Sequence, residues 1–464
     1  MPASAIPTLC GPETEPTFTA CLPHLRISVI GAGIGGLATA LACSKAGFRD
    51  VTVYESANEI AEVGAGIQLP PNETRILRRL GVLEALRPSA VALSKNSLRR
   101  YANDAVLGET QLMPSVEEKY GAPLWVAHRA DLQRVLREGC EAAVPKVTIK
   151  TASRVSEVDF PGTRIKIGEQ WIESDVILVG DGVKSHTRAQ LLELHGQRDM
   201  PHETGDAAYR IIIPREDLES DPELLAYVES SVGYRWMGPG GHIMAYPMKA
   251  HTVFNMVLLH PDVNNTSESW TSKGSKKEML EFYKDWNPIV KRFLAFVKAD
   301  EVMEWKLNDH APLPTWTENH TALLGDACHP MLPYVAQGAA QAVEDGACLA
   351  AALAFVDDVS RVPNALAGYE SVRKDRAEKI QASAAATKAS LHLPDGPKQE
   401  QRDELIRAAE HGGANPDKWS DSTWQQFMWG TDSTRDMLAL IHEVKSGLAK
   451  AKQEAEKVTV THNF

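Results

Sequence analysis

Residues 26–55, RISVIGAGIGGLATALACSKAGFRDVTVYE, decide the fold. Ile27, Val29 and Ile30 read as a buried parallel strand, and Gly31-Ala32-Gly33-Ile34-Gly35-Gly36 then turns into an Ala/Leu-rich helix. Gly31 lets the chain reverse, Gly33 lets backbone N–H groups approach a pyrophosphate, and Gly36 lets the helix pack close to the strand. The helix N-terminus then faces the phosphates with its positive dipole end. Gly47 ends the helix, Val51 to Tyr54 is the next strand, and Glu55 follows where a ribose-binding acid is expected. A lone GxGxxG can be no more than a glycine-rich turn. Here strand, helix, second strand and terminal acid come in order, which identifies a dinucleotide site. A carboxylate accepts two hydrogen bonds from the 2′ and 3′ ribose hydroxyls and repels a 2′-phosphate, so FAD or NAD is expected rather than NADP.

The chain around this unit is globular: 464 residues suit two to four domains, and 43% apolar content is ample for a large core. A net charge of −12 and a pI near 5.7 argue against nucleic acid and against an anionic membrane surface. The six cysteines show no CxxC pair and no metal-ligand spacing, so they read as reduced thiols of a cytoplasmic protein. Residues 1–24 carry no Lys or Arg and no long apolar run, and read as a loosely ordered tail rather than a targeting signal. No apolar stretch reaches the roughly 18 residues that a membrane span needs.

Downstream, Glu62 to Asn72 is a second glycine-rich piece, followed by an amphipathic run at Leu77, Leu80, Leu83 and Leu86. Ser94 to Glu109 reads as extended. In WVAHRADLQRVL, Arg129 opens a helix, a poor place for a cation beside the dipole, so it answers an anion or a carbonyl. Asp175 to Val179 is an apolar strand that delivers Gly180-Asp181-Gly182 to the carboxyl edge of a parallel sheet, where ligands bind. From Gly205 to Trp305 the runs AYRIIIP, GYRWMG, HIMAYPM and TVFNMVLLH have the texture of an antiparallel sheet. Arg210 on one of these strands either pairs with a hidden carboxylate or lines a pocket for an anionic ligand. Helical sequence covers Lys276 to Asp300, split where Asn287 caps and Pro288 begins a second helix.

Alternating α/β character returns at His320 to Leu353. Thr321 to Leu324 is a buried strand ended by Gly325-Asp326, and a small-residue helix carrying Glu344 and Asp345 begins near Gly338. Its N-terminus can aim free N–H groups at a carbonyl or a nascent anion. His329 beside Cys328, without further ligands, does not make a metal site. Beyond Ala367 the chain is helical and charged, with a polar, Pro/Gly-broken piece from Leu391 to Asn415.

Three motifs, GAGIGG with Glu55, VGDGVKSHTR, and GDACHPMLPYVAQGAAQAVEDGA, resemble the three FAD motifs of the single-component (class A) flavoprotein aromatic hydroxylases, and among them the fungal salicylate-hydroxylase-like members. The resemblance runs from about residue 26 to 375. It implies an FAD-binding Rossmann-like unit of glutathione-reductase type, expected over 25–204 and 305–380. An antiparallel substrate unit is expected over 205–304, and a C-terminal helical segment over 381–464. It also implies noncovalent FAD, with Gly31, Gly33, Gly36 and Glu55 on the adenosine side and Arg129 near the ribityl and phosphates. Asp326 would hydrogen-bond the same region, Asp181 would help hold FAD and a passing nicotinamide, and the N–H groups of Gly338 and Ala339 would meet the flavin N1/C2 edge. Gly66 is counted with these cofactor residues.

By the same resemblance, NADH or NADPH reduces FAD, dioxygen forms a flavin C4a-hydroperoxide, and an electron-rich phenol takes up one oxygen atom. Arg210 matches a substrate-region arginine, and Tyr246 and Tyr234 become pocket walls or hydroxyl donors. Both tyrosines are also readable as core or surface members of an ordinary sheet. Ile211 departs from the small residue that often follows the Tyr-Arg pair, which bears on pocket size. A monomer or homodimer acting on a small aromatic substrate is expected. The alternatives are a monooxygenase tailoring a larger secondary metabolite, by hydroxylation, dearomatisation or epoxidation, and a non-catalytic binding protein on the FAD fold.

Overall fold

The structure is a computed structural model and describes residues 15–60, 64–262, 273–298 and 301–446. Its first layer is a six-stranded sheet in the order Thr317–Glu318, Thr321–Leu323, Val176–Val179, Arg26–Ile30, Asp50–Tyr54, Thr148–Lys150. All pairs are parallel except the edge strand Thr317–Glu318. Val176 to Val179 is buried throughout, as expected for a strand covered on both faces. Helix Ile34–Lys45 covers one face and packs against helix Gly338–Ala354. The approach is close because Gly346 has no side chain: a Cβ there would meet Thr39 Oγ1 at 2.6 Å and Thr39 Cα at 2.8 Å. The expected α/β unit is therefore present, down to Gly47 with φ +94° just past the first helix.

The second layer is an eight-stranded sheet. Its order is Lys273–Ser275, Glu301–Asp309, His202–Pro214, Val253–Pro261, Gly241–Met248, Val232–Gly238, Lys95–Arg100, Val106–Gln111. Its last two strands come from the stretch that the sequence reading left with the nucleotide unit. Lys95–Arg100 enters parallel to Val232–Gly238, whereas the other pairs are antiparallel. The sheet has two distinct faces because side chains alternate. Ala208, Met244, Tyr246, Val257 and Leu259 point forward onto a cluster with Val126, Leu332 and Tyr334 of the nucleotide unit. Tyr209, Ile211, Ile213, Phe254, Met256 and Leu258 point back onto Met279, Val290 and Phe293 of helices Lys276–Phe282 and Pro288–Ala295. The split between those helices is as expected, with Asn287 Oδ1 accepting from the Val290 N–H at 3.1 Å.

Two expectations are corrected. Residues 15–24 are not a loose tail: Ala20 donates to the Ala46 carbonyl at 2.7 Å and Cys21 to the Ala354 carbonyl at 2.9 Å, seating the segment on the nucleotide unit. Residues 1–14 lie outside the described part. The Leu391–Asn415 piece is not merely broken polar sequence, since it contains the 13-residue helix Pro397–Ala409. Pro397 stands at its first position, where the missing N–H costs nothing, and buried Asp403 holds Arg402 at 2.6 Å. The thirty-residue helix Val362–Leu391 and helix Ser422–Gly430 complete the C-terminal segment. Among the described residues no helix is long and apolar enough to cross a membrane.

Candidate active site

The glycine loop has one closed and one open side. A Cβ on Gly31 would stand 2.5 Å from the Gly180 carbonyl oxygen, and one on Gly36 would stand 2.0 Å from the Gly31 carbonyl oxygen. At Gly33, by contrast, nothing lies within 4 Å. The open side is where a pyrophosphate would approach the N–H groups. Glu55 is fixed beside it: Oε2 accepts from the Ala32 N–H at 2.8 Å and Oε1 from the Ala57 N–H at 2.8 Å. Oε2 keeps a lone pair for a ribose hydroxyl, whereas Oε1 also accepts from the Ser56 hydroxyl at 3.1 Å. Gln133, which the sequence reading passed over, ties helix Arg129–Ala142 to the loop through the Ala32 carbonyl at 2.9 Å.

The second and third motifs meet on the same side. Asp181 follows strand Val176–Val179. Its Oδ2 accepts from the Thr187 N–H and hydroxyl at 3.4 Å, while its Oδ1 is buried without a donor. Burial raises the Asp181 and Asp326 carboxyls above their usual range, and lowers Arg129 below its own. Arg129 and Asp326 each oppose the other's shift, which places the helix-start arginine opposite the third motif. Arg188 braces the two motifs, donating to the carbonyls of Val183 at 2.7 Å and Ala327 at 3.3 Å. Gly338 and Ala339 sit half-buried in the first turn of a 17-residue helix, where backbone N–H groups have no intrahelical acceptor. Open loop, unpaired buried carboxylate oxygen and free helix N-terminus together fit a flavin nucleotide.

Gly66 has a different reason to be glycine. Its N–H donates to Asn255 Oδ1 at 3.0 Å, and a Cβ would stand 2.5 Å from the Tyr246 hydroxyl oxygen and 2.8 Å from Asn255 Cγ. It is the seam between the nucleotide unit and the eight-stranded sheet, not a donor free for the cofactor. Arg210, Tyr246 and Asn255 share the forward face. Arg210 pairs across with Val257 and Tyr246 with Asn255. No carboxylate answers Arg210 among the described residues. Its guanidinium lies 4.1 Å from the Trp305 ring centroid and its Nε is buried without a partner. Burial pulls this guanidinium down to about 10, with the Tyr246 phenol opposing; burial pushes that phenol up. Of the two readings open for Arg210, the hidden carboxylate is therefore excluded.

Tyr234 does not join them. It pairs with Ala245, one residue out of phase with Tyr246, and so faces back onto Tyr227 and Trp236, its hydroxyl 2.9 Å from Ser230 Oγ. Ile211 also faces back, so its bulk does not narrow the Arg210 side.

Behind the third motif lies a buried ion network that the sequence signalled only by charges in a small-residue helix. Arg373 holds Asp345 at 2.8 Å and also pairs with Glu344, whose other oxygen receives Arg376 at 2.8 Å and Asn72 at 2.6 Å. Asp345 Oδ2 accepts from the Gly325 N–H at 2.8 Å and lies 2.6 Å from His329 Nε2. Cys328, His329 and Asp345 bring ligand atoms within 4.8 Å of one another, but both Asp345 oxygens are already engaged and burial drives the thiol well up. Next to this network Glu73 is fully buried with neither oxygen partnered, and burial together with Glu344 raises it to about 8.

Residues 24–384 match the FAD binding domain family. The FAD-dependent monooxygenase atnJ of Arthrinium sp is 37% identical over 407 residues, covering 87% of this chain and 94% of the relative. The 3-hydroxybenzoate 6-hydroxylase 1 of Aquipseudomonas alcaligenes is 32% identical over 415 residues, covering 88% and 98%. A solved salicylate hydroxylase substrate complex superposes with a TM-score of 0.73 at 24% identity, covering 89% of this chain and 97% of the other, a likeness of fold.

Proposed function

The chain belongs to the FAD binding domain family and is an FAD-dependent monooxygenase, and from that premise we propose that it hydroxylates a phenolic or aromatic-acid substrate held against Arg210. FAD, with NAD(P)H as electron source and dioxygen as oxidant, supplies the oxygen transfer when bound. The observation that carries the substrate assignment is the Arg210 cation, which has no carboxylate partner among the described residues and stacks on Trp305. A carboxylate or phenolate would complete its charge-assisted hydrogen bonds. Tyr246 stands on the same face to hydrogen-bond the ring substituents, and Met244, Val257 and Trp305 keep water from the ring. Gly338 and Ala339 would place N–H donors and a positive helix end toward the flavin, holding negative charge there. The 3-hydroxybenzoate hydroxylase among the relatives supports an aromatic acid as substrate.

A second reading, a larger secondary metabolite, is favoured by Ile212. It lies two residues beyond Arg210 on the same face and is 41% exposed, leaving apolar surface beside the anion anchor. The test is NADH and NADPH oxidation by the yellow protein with and without salicylate and a panel of phenols, with mass analysis of products. Oxidation stimulated by substrate, with a product gaining one oxygen or gaining it with loss of carbon dioxide, establishes the hydroxylase. Stimulation by none of the small acids but by an extended aromatic favours the second reading. A cytoplasmic location is part of the proposal, supported by free thiols at every described cysteine.

A further inference from the structure

We infer that Gln68 and Asn255 together read a ring hydroxyl of the substrate, so that the site selects a hydroxylated aromatic acid over the same acid without that hydroxyl. The inference rests on Arg210 as the anchor for the acid. Gln68 lies on strand Gly66–Leu69, two residues from Gly66 and therefore on the same face of that strand. That face looks onto the eight-stranded sheet in two ways. The Cβ direction of Gly66 runs into Tyr246 and Asn255. Val126, paired opposite Gln68, belongs to the cluster with Tyr246, Met244 and Val257, whereas the alternate residues Ile67 and Leu69 pack into the nucleotide core.

Both amides are buried, Gln68 at 8% and Asn255 at 0% exposure. The bond from the Gly66 N–H commits Asn255 Oδ1 and thereby sets the orientation of that amide, which leaves Nδ2 as a buried donor without an acceptor. Gln68 Oε1 is a buried acceptor without a donor, and Arg210 Nε is a buried donor without an acceptor on the neighbouring strand. Buried polar groups are nearly always paired, so three such orphans around one patch describe the complement of a ligand. Arg210 takes the anion. A ring hydroxyl both donates, to Gln68 Oε1, and accepts, from Asn255 Nδ2. An ether or carbonyl would leave Gln68 unpaired.

The test titrates the FAD-loaded protein with benzoate and with its 2-, 3- and 4-hydroxy derivatives, reading the flavin absorbance change, in wild type and in Gln68→Met. Wild type is expected to bind at least one hydroxybenzoate roughly 10- to 100-fold more tightly than benzoate, the effect of one satisfied buried pair. Gln68→Met should close that gap by weakening the hydroxybenzoate while leaving benzoate unchanged. Should Gln68→Met fail to hold FAD, Gln68→Asn, which withdraws the amide by one methylene, replaces it in the same titration. A gap that survives the substitution, an equal loss for both acids, or a wild type that binds benzoate as well as the hydroxybenzoates overturns the inference. A wild type that binds none of the four acids instead overturns the anion-anchor reading of Arg210, a failure visible at the acid and not at the hydroxyl.

Discussion

The Arg210 guanidinium rests 4.1 Å from the centre of the Trp305 ring, on a sheet face that offers it no carboxylate among the described residues. An aromatic face favours the cation without neutralising it, so the site keeps a net attraction for an anion. Arg210→Ala should lower kcat/KM by about 10- to 150-fold, the range of one charge-assisted contact, with FAD content unchanged. Arg210→Lys should recover only part, since an ammonium lacks the planar stack. Burial pulls Arg210 down to about 10, so the group is charged below that pH and anion binding weakens as pH rises through it. Steady-state kinetics with unchanged kcat/KM in the alanine variant would remove Arg210 from the site.

Two glycines of one loop should respond differently. Gly33→Ala adds a Cβ to open space, so the cofactor-free protein should melt at the wild-type temperature while FAD binds roughly tenfold or more weaker. Gly36→Ala drives a Cβ into the Gly31 carbonyl and should lower both the melting temperature and FAD content. Equal FAD affinity in Gly33→Ala and wild type would show that the pyrophosphate lies elsewhere.

Arg373 joins Asp345 and Glu344 in the interior and reaches Ser433 Oγ at 2.9 Å. Removing it takes away the cation shared by two buried carboxylates and leaves Asp345 Oδ1 without its donor, so Arg373→Ala should destabilise the protein by about 3–5 kcal/mol. Because Asp345 also holds the Gly325 N–H ahead of Asp326, FAD content should fall with it. Chemical denaturation and the flavin-to-protein absorbance ratio read the two effects, and a midpoint within error of wild type would contradict the coupling.

Glu73 is raised from 4.5 to about 8 by burial, with Glu344 adding to it. The folded protein therefore binds a proton there that the unfolded chain has released between those values. The stability so contributed is present below 4.5 and is lost as pH rises through 8. Glu73→Gln, which mimics the protonated acid, should flatten that limb, matching wild type near pH 4 and melting progressively higher than wild type from there to pH 9. Parallel melting curves across this range would mean that Glu73 is ionised in the fold.

Much of the fold was legible because its signals are short-range. Arg26 through Glu55 spell a turn, a helix and two strands within thirty residues, and Asn287-Pro288 marks a helix start from two side chains. Pro397 misled for the same local reason: read as a breaker, it opens a helix whose Arg402 also reaches the Ser390 carbonyl twelve residues earlier, at 2.6 Å. Tyr234 and Tyr246 looked alike because each sits in an aromatic strand. The hairpin that joins their strands pairs Tyr234 with Ala245, and that one-residue offset turns the two tyrosines to opposite faces.

By itself the sequence determined the nucleotide-binding unit, because glycine conformation, helix ends and strand periodicity are set by neighbours along the chain. Only the tertiary structure decided what stands across from what. It left Arg210 on Trp305 without a carboxylate, brought Gly66 against Tyr246 and Asn255 from nearly two hundred residues away, and set Arg373 between two acids. Those pairings follow from strand register and layer packing, which depend on contacts distant in the chain and have no local signature.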